Sequence, residues 1–425
     1  MDLRTLLWLL VDVLKVWGVI ECLFYVYYRY KLRQLQTHSP PPHFPDEERK
    51  RICRQILSYL NKRNAPSFLS DWFFQAPIEQ IWQGNVQEWI ACALYCTSPD
   101  LLTLRERQHL SCFLKQMEAR IEHVFPPGHC STTKCARLTL DPIQAVHRPL
   151  FFYCWVWILR WFSSIALWWN GFRYRNSGTL NYWVRLVVPQ KNKNKNKNKP
   201  LIFIHGIGIG FMPYHRFLTL LWSNQDTYIL ELPTISMQLV QGNFSMEILV
   251  AAIDHLMRVH KVDDATFMGH SFGSICVAWM VKNRPHRVHK AIFLDPVVFL
   301  LFLPKICTSF VYSQPSWRAG VLEWIVHFLG KRELFIAHTL ARNFWWFQNV
   351  IWPEELPKDR VNLVVLSEAD QITPAVAIQE FLLKEKDGFA PLTHVLMLRD
   401  MKHAEFLFQN QARQLVANTC LEFLI

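Results

Sequence analysis

The chain has 425 residues, 51% hydrophobic and 14% aromatic, with a net charge of +12. That length suggests two or three domains, and the apolar fraction excludes a mostly disordered chain. Five positive charges sit in KNKNKNKNK, residues 191–199, and the other Lys and Arg form no basic stripe with interleaved aromatics, so no nucleic-acid partner is expected and an anionic membrane surface suits the charge better.

Residues 5–28, TLLWLLVDVLKVWGVIECLFYVYY, are long enough to span a bilayer, although Asp12, Lys15 and Glu21 interrupt them. On a helical wheel Arg4, Asp12 and Lys15 fall within about 80° of one another, while Glu21 lies about 120° from Lys15. One Arg in the n-region and no small-x-small cleavage site make a poor signal peptide, so residues 1–30 are expected to be a membrane anchor helix. Arg29, Lys31 and Arg33 follow it, which favours a cytosolic location for the chain beyond. After the proline-rich linker HSPPPHFPDEE, apolar residues recur at helical spacing. Residues 31–149 are therefore expected to form a helical N-terminal region.

Residues 150–172, LFFYCWVWILRWFSSIALWWNGF, are a second membrane candidate. Trp155, Trp157, Trp161, Trp168 and Trp169 fall in this one stretch, with Arg160 at its middle. An Arg at a bilayer centre costs about 2.5–3.5 kcal/mol even on insertion scales. A helix lying in the interface or re-entering it is the expectation; packing against the protein itself is the ordinary alternative.

Short β-rich runs then alternate with helical ones: LNYWVRLVV, PLIFIHG, TYILELP, ATFMGHS, KAIFLDP, NLVVLSEAD and THVLMLRD. Continuous apolar strands alternating with helices predict a parallel α/β sheet covered on both faces. The Lys-Asn run between the first two is a polar loop. The eleven cysteines fit no zinc spacing and read as mostly reduced thiols of a domain facing the cytosol. Asn243-Phe244-Ser245 is a glycosylation acceptor that only a lumenal domain could use.

The chemistry centres on Gly269-His270-Ser271-Phe272-Gly273, between a buried strand and a helix. A turn that sharp leaves no room for side chains at its flanks, and it thrusts Ser271 out at the carboxyl edge of the sheet. LIFIHGIGIG, residues 201–210, supplies a glycine-rich loop whose amides can meet an oxyanion, with Ile207 and Phe272 as the expected donors. It lacks the Lys and Ser/Thr of a phosphate loop. An acid and then a His should follow the serine. Asp370 ends NLVVLSEAD, and His403 lies five residues past HVLML. A lone Asp or His in a loop is ordinarily just solvated; the ordered trio at three strand ends carries the assignment. Asp295, in FLDP, is the alternative acid, and Glu368 a distant third.

FIHG, GHSFG, SEADQITP and KHAEF together resemble the α/β-hydrolase superfamily of serine esterases and lipases, over about residues 180–425. The aromatic segment and helical region ahead of them look like those of membrane-associated, fungal-type members. The resemblance implies an α/β-hydrolase fold with a mostly parallel sheet, no cofactor and no metal, and a Ser271–His403–Asp370 triad working through an acyl-enzyme. Transferase members often carry an Asp five residues after the catalytic His; here that position is Phe408, so hydrolysis is favoured. The Ser at 271 argues against epoxide hydrolases and dehalogenases, which use an Asp nucleophile.

About residues 297–360 form a long apolar insertion in the place of a cap, suited to a long acyl chain. The expected protein is a membrane-associated serine carboxylic-ester hydrolase of lipase type, whose partners are a lipid or other acyl-ester substrate and a membrane. The expected location is an endoplasmic-reticulum or lipid-droplet membrane, with the catalytic domain facing the cytosol. An acyltransferase or thioesterase on the same triad, and a non-catalytic lipid-binding protein of this fold, are the alternatives.

Overall fold

A computed structural model describes residues 3–187, 198–222, 225–242, 245–314, 330–384 and 392–424. The Lys-Asn run up to residue 197, Asn243 and Phe244 of the glycosylation acceptor, and residues 315–329 of the insertion lie outside the described residues.

Among the described residues, eight strands form one sheet in the order β1-β2-β4-β3-β5-β6-β7-β8. They are β1 (Arg173–Ser177), β2 (Leu180–Arg185), β3 (Leu201–Ile204), β4 (Thr227–Glu231), β5 (Ala265–His270), β6 (Val288–Leu294), β7 (Asn362–Ser367) and β8 (Thr393–Leu398). β1 pairs antiparallel with β2 and β2 with β4; the other pairs are parallel. Seven of these strands match the apolar runs in the sequence. The eighth, β1, has the sequence RYRNS and a mostly exposed burial pattern, so no apolar run announces it.

β3, β4, β5 and β7 are buried along their whole length, and alternate residues serve opposite faces. Ile202, Ile204, Phe267 and Phe293 face a core shared with α8 (Met246–Val259) and α9 (Gly273–Asn283). Leu201, Phe203, Met268 and Ile292 face a second core with the C-terminal helix Asn410–Leu424. Continuous apolar strands are stable only when both faces are covered in this way.

Ahead of the sheet run α1 (Leu3–Leu35), α2 (Asp46–Tyr59), α3 (Ala65–Trp72), α4 (Gln83–Tyr95), α5 (Leu104–Ile121) and α6 (Leu150–Trp169), and the short α7 (His215–Leu218) follows β3. α5 starts at a capping box, Thr103 with Glu106. The α2–α5 region docks on the segment between β6 and β7. Phe44 stacks on Phe347 with centroids 4.1 Å apart, Arg51 Nη1 lies 2.7 Å from Glu355 Oε1, and Trp346 Nε1 donates to Ala93 O at 2.8 Å.

Among the described residues, α6 is long and apolar enough to cross a membrane by length and composition. Its central Arg160 faces the protein. Nη2 lies 2.5 Å from Glu231 Oε1 at the end of β4, and Tyr174 Oη donates to Glu231 Oε2 at 3.2 Å. Trp157, Trp161, Phe162, Trp168 and Trp169 stay exposed, as does most of α1. Glu21, off the polar seam of α1, caps α6: its carboxylate accepts the amides of Leu150 at 2.8 Å and Phe151 at 3.1 Å. A carboxylate there also complements the helix dipole.

Arg160 is partly buried and Glu231 buried, so removing the arginine strands the carboxylate. Arg160→Met should therefore lower the stability of the detergent-solubilised protein by about 3–5 kcal/mol. Adding Glu231→Gln should recover part of that loss, as read by thermal unfolding of both variants.

Candidate active site

Ser271 follows β5 with φ of +50°, a left-handed conformation that leaves its side chain at the tip of the turn. The turn demands glycine on both sides. A Cβ on Gly269 would lie 2.6 Å from Gly273 O, and one on Gly273 would overlap Ile204 O in β3. The loop after β3 passes as closely: a Cβ on Gly206 would stand 2.9 Å from Ser271 Cβ.

The structure brings Ser271, His403 and Asp370 together. His403 Nδ1 lies 2.7 Å from Asp370 Oδ2, and His403 Nε2 lies 2.9 Å from Ser271 Oγ. Asp370 sits in the loop after β7, where Oδ1 accepts the amides of Ile372 and Thr373 and Oδ2 accepts Thr373 Oγ1 at 2.7 Å. Burial pushes its pKa up, but the His403 charge and these hydrogen bonds outweigh that and hold it at about 2. An ionised carboxylate only accepts, so Nδ1 carries the His403 proton and Nε2 is left to accept from the serine. Burial disfavours the imidazolium of His403, yet the Asp370 carboxylate beside it prevails and raises its pKa above 6.5.

Asp295 lies elsewhere. It follows β6 and is fully buried, and both its oxygens are engaged: Oδ1 accepts Ser367 N and Oδ2 accepts Ala404 N, each at 2.9 Å. It ties the end of β7 to the loop that carries His403, and no bond joins it to the His403 ring. Glu368 is exposed and accepts Asp400 N at 3.2 Å. Ile207 and Phe272 both line the cavity beside Ser271. Ile207 stands between two amides already used, Gly206 N on Tyr214 Oη at 3.0 Å and Gly208 N on Ile235 O at 3.1 Å.

Sequence reasoning missed a buried layer beneath the serine. Tyr214 Oη, which accepts Gly206 N–H, has its own proton to give to His270 Nδ1, 2.7 Å away. That assignment leaves a proton on His270 Nε2, 3.9 Å from Asp295 Oδ2. Burial, and then the His403 charge, keep His270 neutral with a pKa well below 6.5. His205 accepts Leu232 N at Nε2, so its Nδ1–H donates to Gly206 O at 2.8 Å and pins the glycine loop. His270 stood in the quoted motif; Tyr214 gave no signal of its own.

A cavity of about 1030 Å³ opens on Ser271 and His403. Its walls are mostly apolar and come from α2–α6 and from the segment between β6 and β7. Among the described residues, no group of three or more His, Cys, Asp or Glu side chains could hold a metal ion.

A family model described as the alpha/beta hydrolase fold matches residues 199–332. With the eight-stranded, mostly parallel sheet, this defines the fold of the chain as the α/β-hydrolase fold. Solved structures similar to it include the carboxylesterase CesB from Bacillus subtilis, at 13% identity over 63% of this chain and 96% of that one, with a TM-score of 0.43. Naproxen esterase from Bacillus subtilis is 15% identical over 64% and 97%, with a TM-score of 0.44. A bacterial membrane phospholipase A is 15% identical over 64% and 94%, with a TM-score of 0.43. No curated protein matches the sequence.

The bracing by Asp295 has a measurable cost of removal. Asp295→Ala would leave the buried amide of Ser367 and the part-buried amide of Ala404 without acceptors, the former at about 1–3 kcal/mol. Asp295→Asn keeps an acceptor for one of them and should unfold at a temperature between those of wild type and Asp295→Ala.

Proposed function

We propose that the chain is a membrane-associated serine hydrolase that cleaves carboxylic esters of lipids through an acyl-enzyme. The observation that carries this reading is the hydrogen-bonded series Ser271–His403–Asp370 at the mouth of a large apolar cavity. His403 takes the Ser271 proton as Oγ attacks the ester carbonyl, and Asp370 stabilises the imidazolium that forms. The amides of Ile207 and Phe272 stabilise the oxyanion. Collapse of the tetrahedral intermediate expels the alcohol, which receives its proton from His403. Water, deprotonated by the same ring, then releases the acid and restores the serine.

The membrane part of the reading is supported by the exposed aromatic face of α6 and the exposed apolar length of α1, followed by Arg29, Lys31 and Arg33. Arg160 is spent on Glu231, so α6 lies along the domain with its apolar face outward, as an interfacial helix does. The domain then stays on the cytosolic side. A transferase on the same residues would require an acceptor, and added alcohol or amine would redirect the product; a non-catalytic lipid binder would leave Ser271 unlabelled by a fluorophosphonate probe.

Ser271→Ala should abolish probe labelling and ester turnover in a folded protein; retained turnover sinks the assignment. Asp370→Asn should lower kcat by up to ~10⁴, and Asp295→Asn by much less. His403 must be neutral to accept the serine proton, so activity should be lost as pH falls through a pKa above 6.5, read from the acid limb of kcat/KM.

Asn243 should remain unmodified when the chain is made in the presence of microsomes. A glycosidase-sensitive mass shift that vanishes in Asn243→Gln would place the domain on the lumenal side.

A further inference from the structure

The cavity extends beyond the sheet domain. The segment between β6 and β7 lies at the carboxyl edge of the sheet, and the α2–α5 region rests on that segment. Trp72 of α3, Trp89, Ala93 and Cys96 of the α4 region, and Phe113 of α5 line the cavity together with Ser271. The part of the cavity removed from the serine is therefore built by residues outside the α/β-hydrolase sheet.

The lining of that part is mostly apolar. Among the described lining residues there is no Asp or Glu. The Cys96 thiol is pushed by burial up to about 12 and is uncharged. The titratable His403 and Lys402 stand at the serine end, and Lys331, also in the lining, donates to Ser313 O at 2.9 Å and Ser313 Oγ at 2.7 Å. An amphiphile would thus lie with its polar carbonyl at Ser271 and its hydrocarbon toward α4. A volume of about 1030 Å³ stands at the upper limit of ordinary ligand sites, about 300–1,000 Å³, which favours a long chain over a short one. α4 presents a small side chain to this space: Ala93 is only partly buried although it lies inside the molecule, and its carbonyl is held by Trp346 Nε1. Leu138, in the connection before α6, lines the same space.

We infer that the α3–α5 region forms the compartment for a long acyl chain, and that Ala93 and Leu138 set the chain length accepted. The position of the ester rests on the proposed hydrolase reading; the chain compartment does not. Filling the compartment should penalise long chains selectively, because the lost space is space only a long chain uses.

The test uses the full chain in lipid nanodiscs. Ala93→Phe and, separately, Leu138→Phe should each lower the kcat/KM ratio of p-nitrophenyl hexadecanoate over p-nitrophenyl butanoate at least tenfold. In a Ser271→Ala background, which removes turnover, the same two substitutions should lower the affinity ratio of hexadecanoate over octanoate at least tenfold. Two independent fillings keep the test open should one variant unfold. Unchanged ratios in a folded filled variant overturn the inference, as does an equal loss for long and short chains. Wild-type protein that turns over neither ester, while the binding ratio still shifts, would remove the hydrolase reading and leave the compartment standing.

Discussion

The site depends on a steric constraint rather than on any bond. β3 and β5 are neighbours, and the chain leaving β5 must reverse into α9 against the backbone of β3. There is no room for a Cβ at Gly273, because Ile204 O occupies that place, and none at Gly269. The same crowding forces Ser271 to a φ of +50°, which is costly for a residue with a side chain and persists only where the surroundings over-determine it. The surroundings do so here: Ser271 N donates to Leu294 O, Ser274 N to Ser271 O, and the loop from β3 presses against the turn through Gly206. The serine is held at the sheet edge by packing on all sides.

Two acids stand at adjacent strand ends, and their surroundings separate their uses. Asp370 collects several donors and a partner imidazole, which hold it ionised. Asp295 is fully buried, and that burial raises its pKa while its two oxygens bind backbone amides. One carboxylate faces a ring; the other ties two loops. Tyr214 joins the glycine loop to His270, so the floor of the site is hydrogen-bonded up to a neutral histidine whose Nε2 stands 3.9 Å from Asp295.

Much of this was legible in the sequence for local reasons. Fully buried strands write themselves as apolar runs, and a turn that excludes Cβ writes itself as G-x-S-x-G. Asp370 and His403 were visible as polar residues just past such runs. β1 was not visible, because an exposed antiparallel edge strand needs no apolar pattern. The tasks of Asp295, Arg160 and Glu21 were not visible either: each bonds to a residue tens of positions or more away in the chain, and a single sequence carries no record of distant pairing. Arg160 illustrates the point. By sequence it is a charge misplaced in an apolar helix; in the structure it is the helix's attachment to Glu231. The β6–β7 segment reads in the sequence as an apolar cap, but the share of α2–α6 in the cavity wall was equally hidden, since it depends on packing between distant parts of the chain.

Glu21 joins two helices whose sequences are more than a hundred residues apart, by holding the first two amides of α6 in one carboxylate. α6 in turn contributes Phe152, Trp155, Val156 and Leu159 to the cavity wall, and is pinned further along by Arg160. The N-terminal helix is thus geared to the chamber beside the serine. Because Tyr28 Oη also holds Ala145 O and Gln36 holds Ile143 on both sides of its backbone, a tilt or axial slide of α1 would load those bonds and Glu21 together, and the cavity wall through Glu21 and the Arg160 pivot.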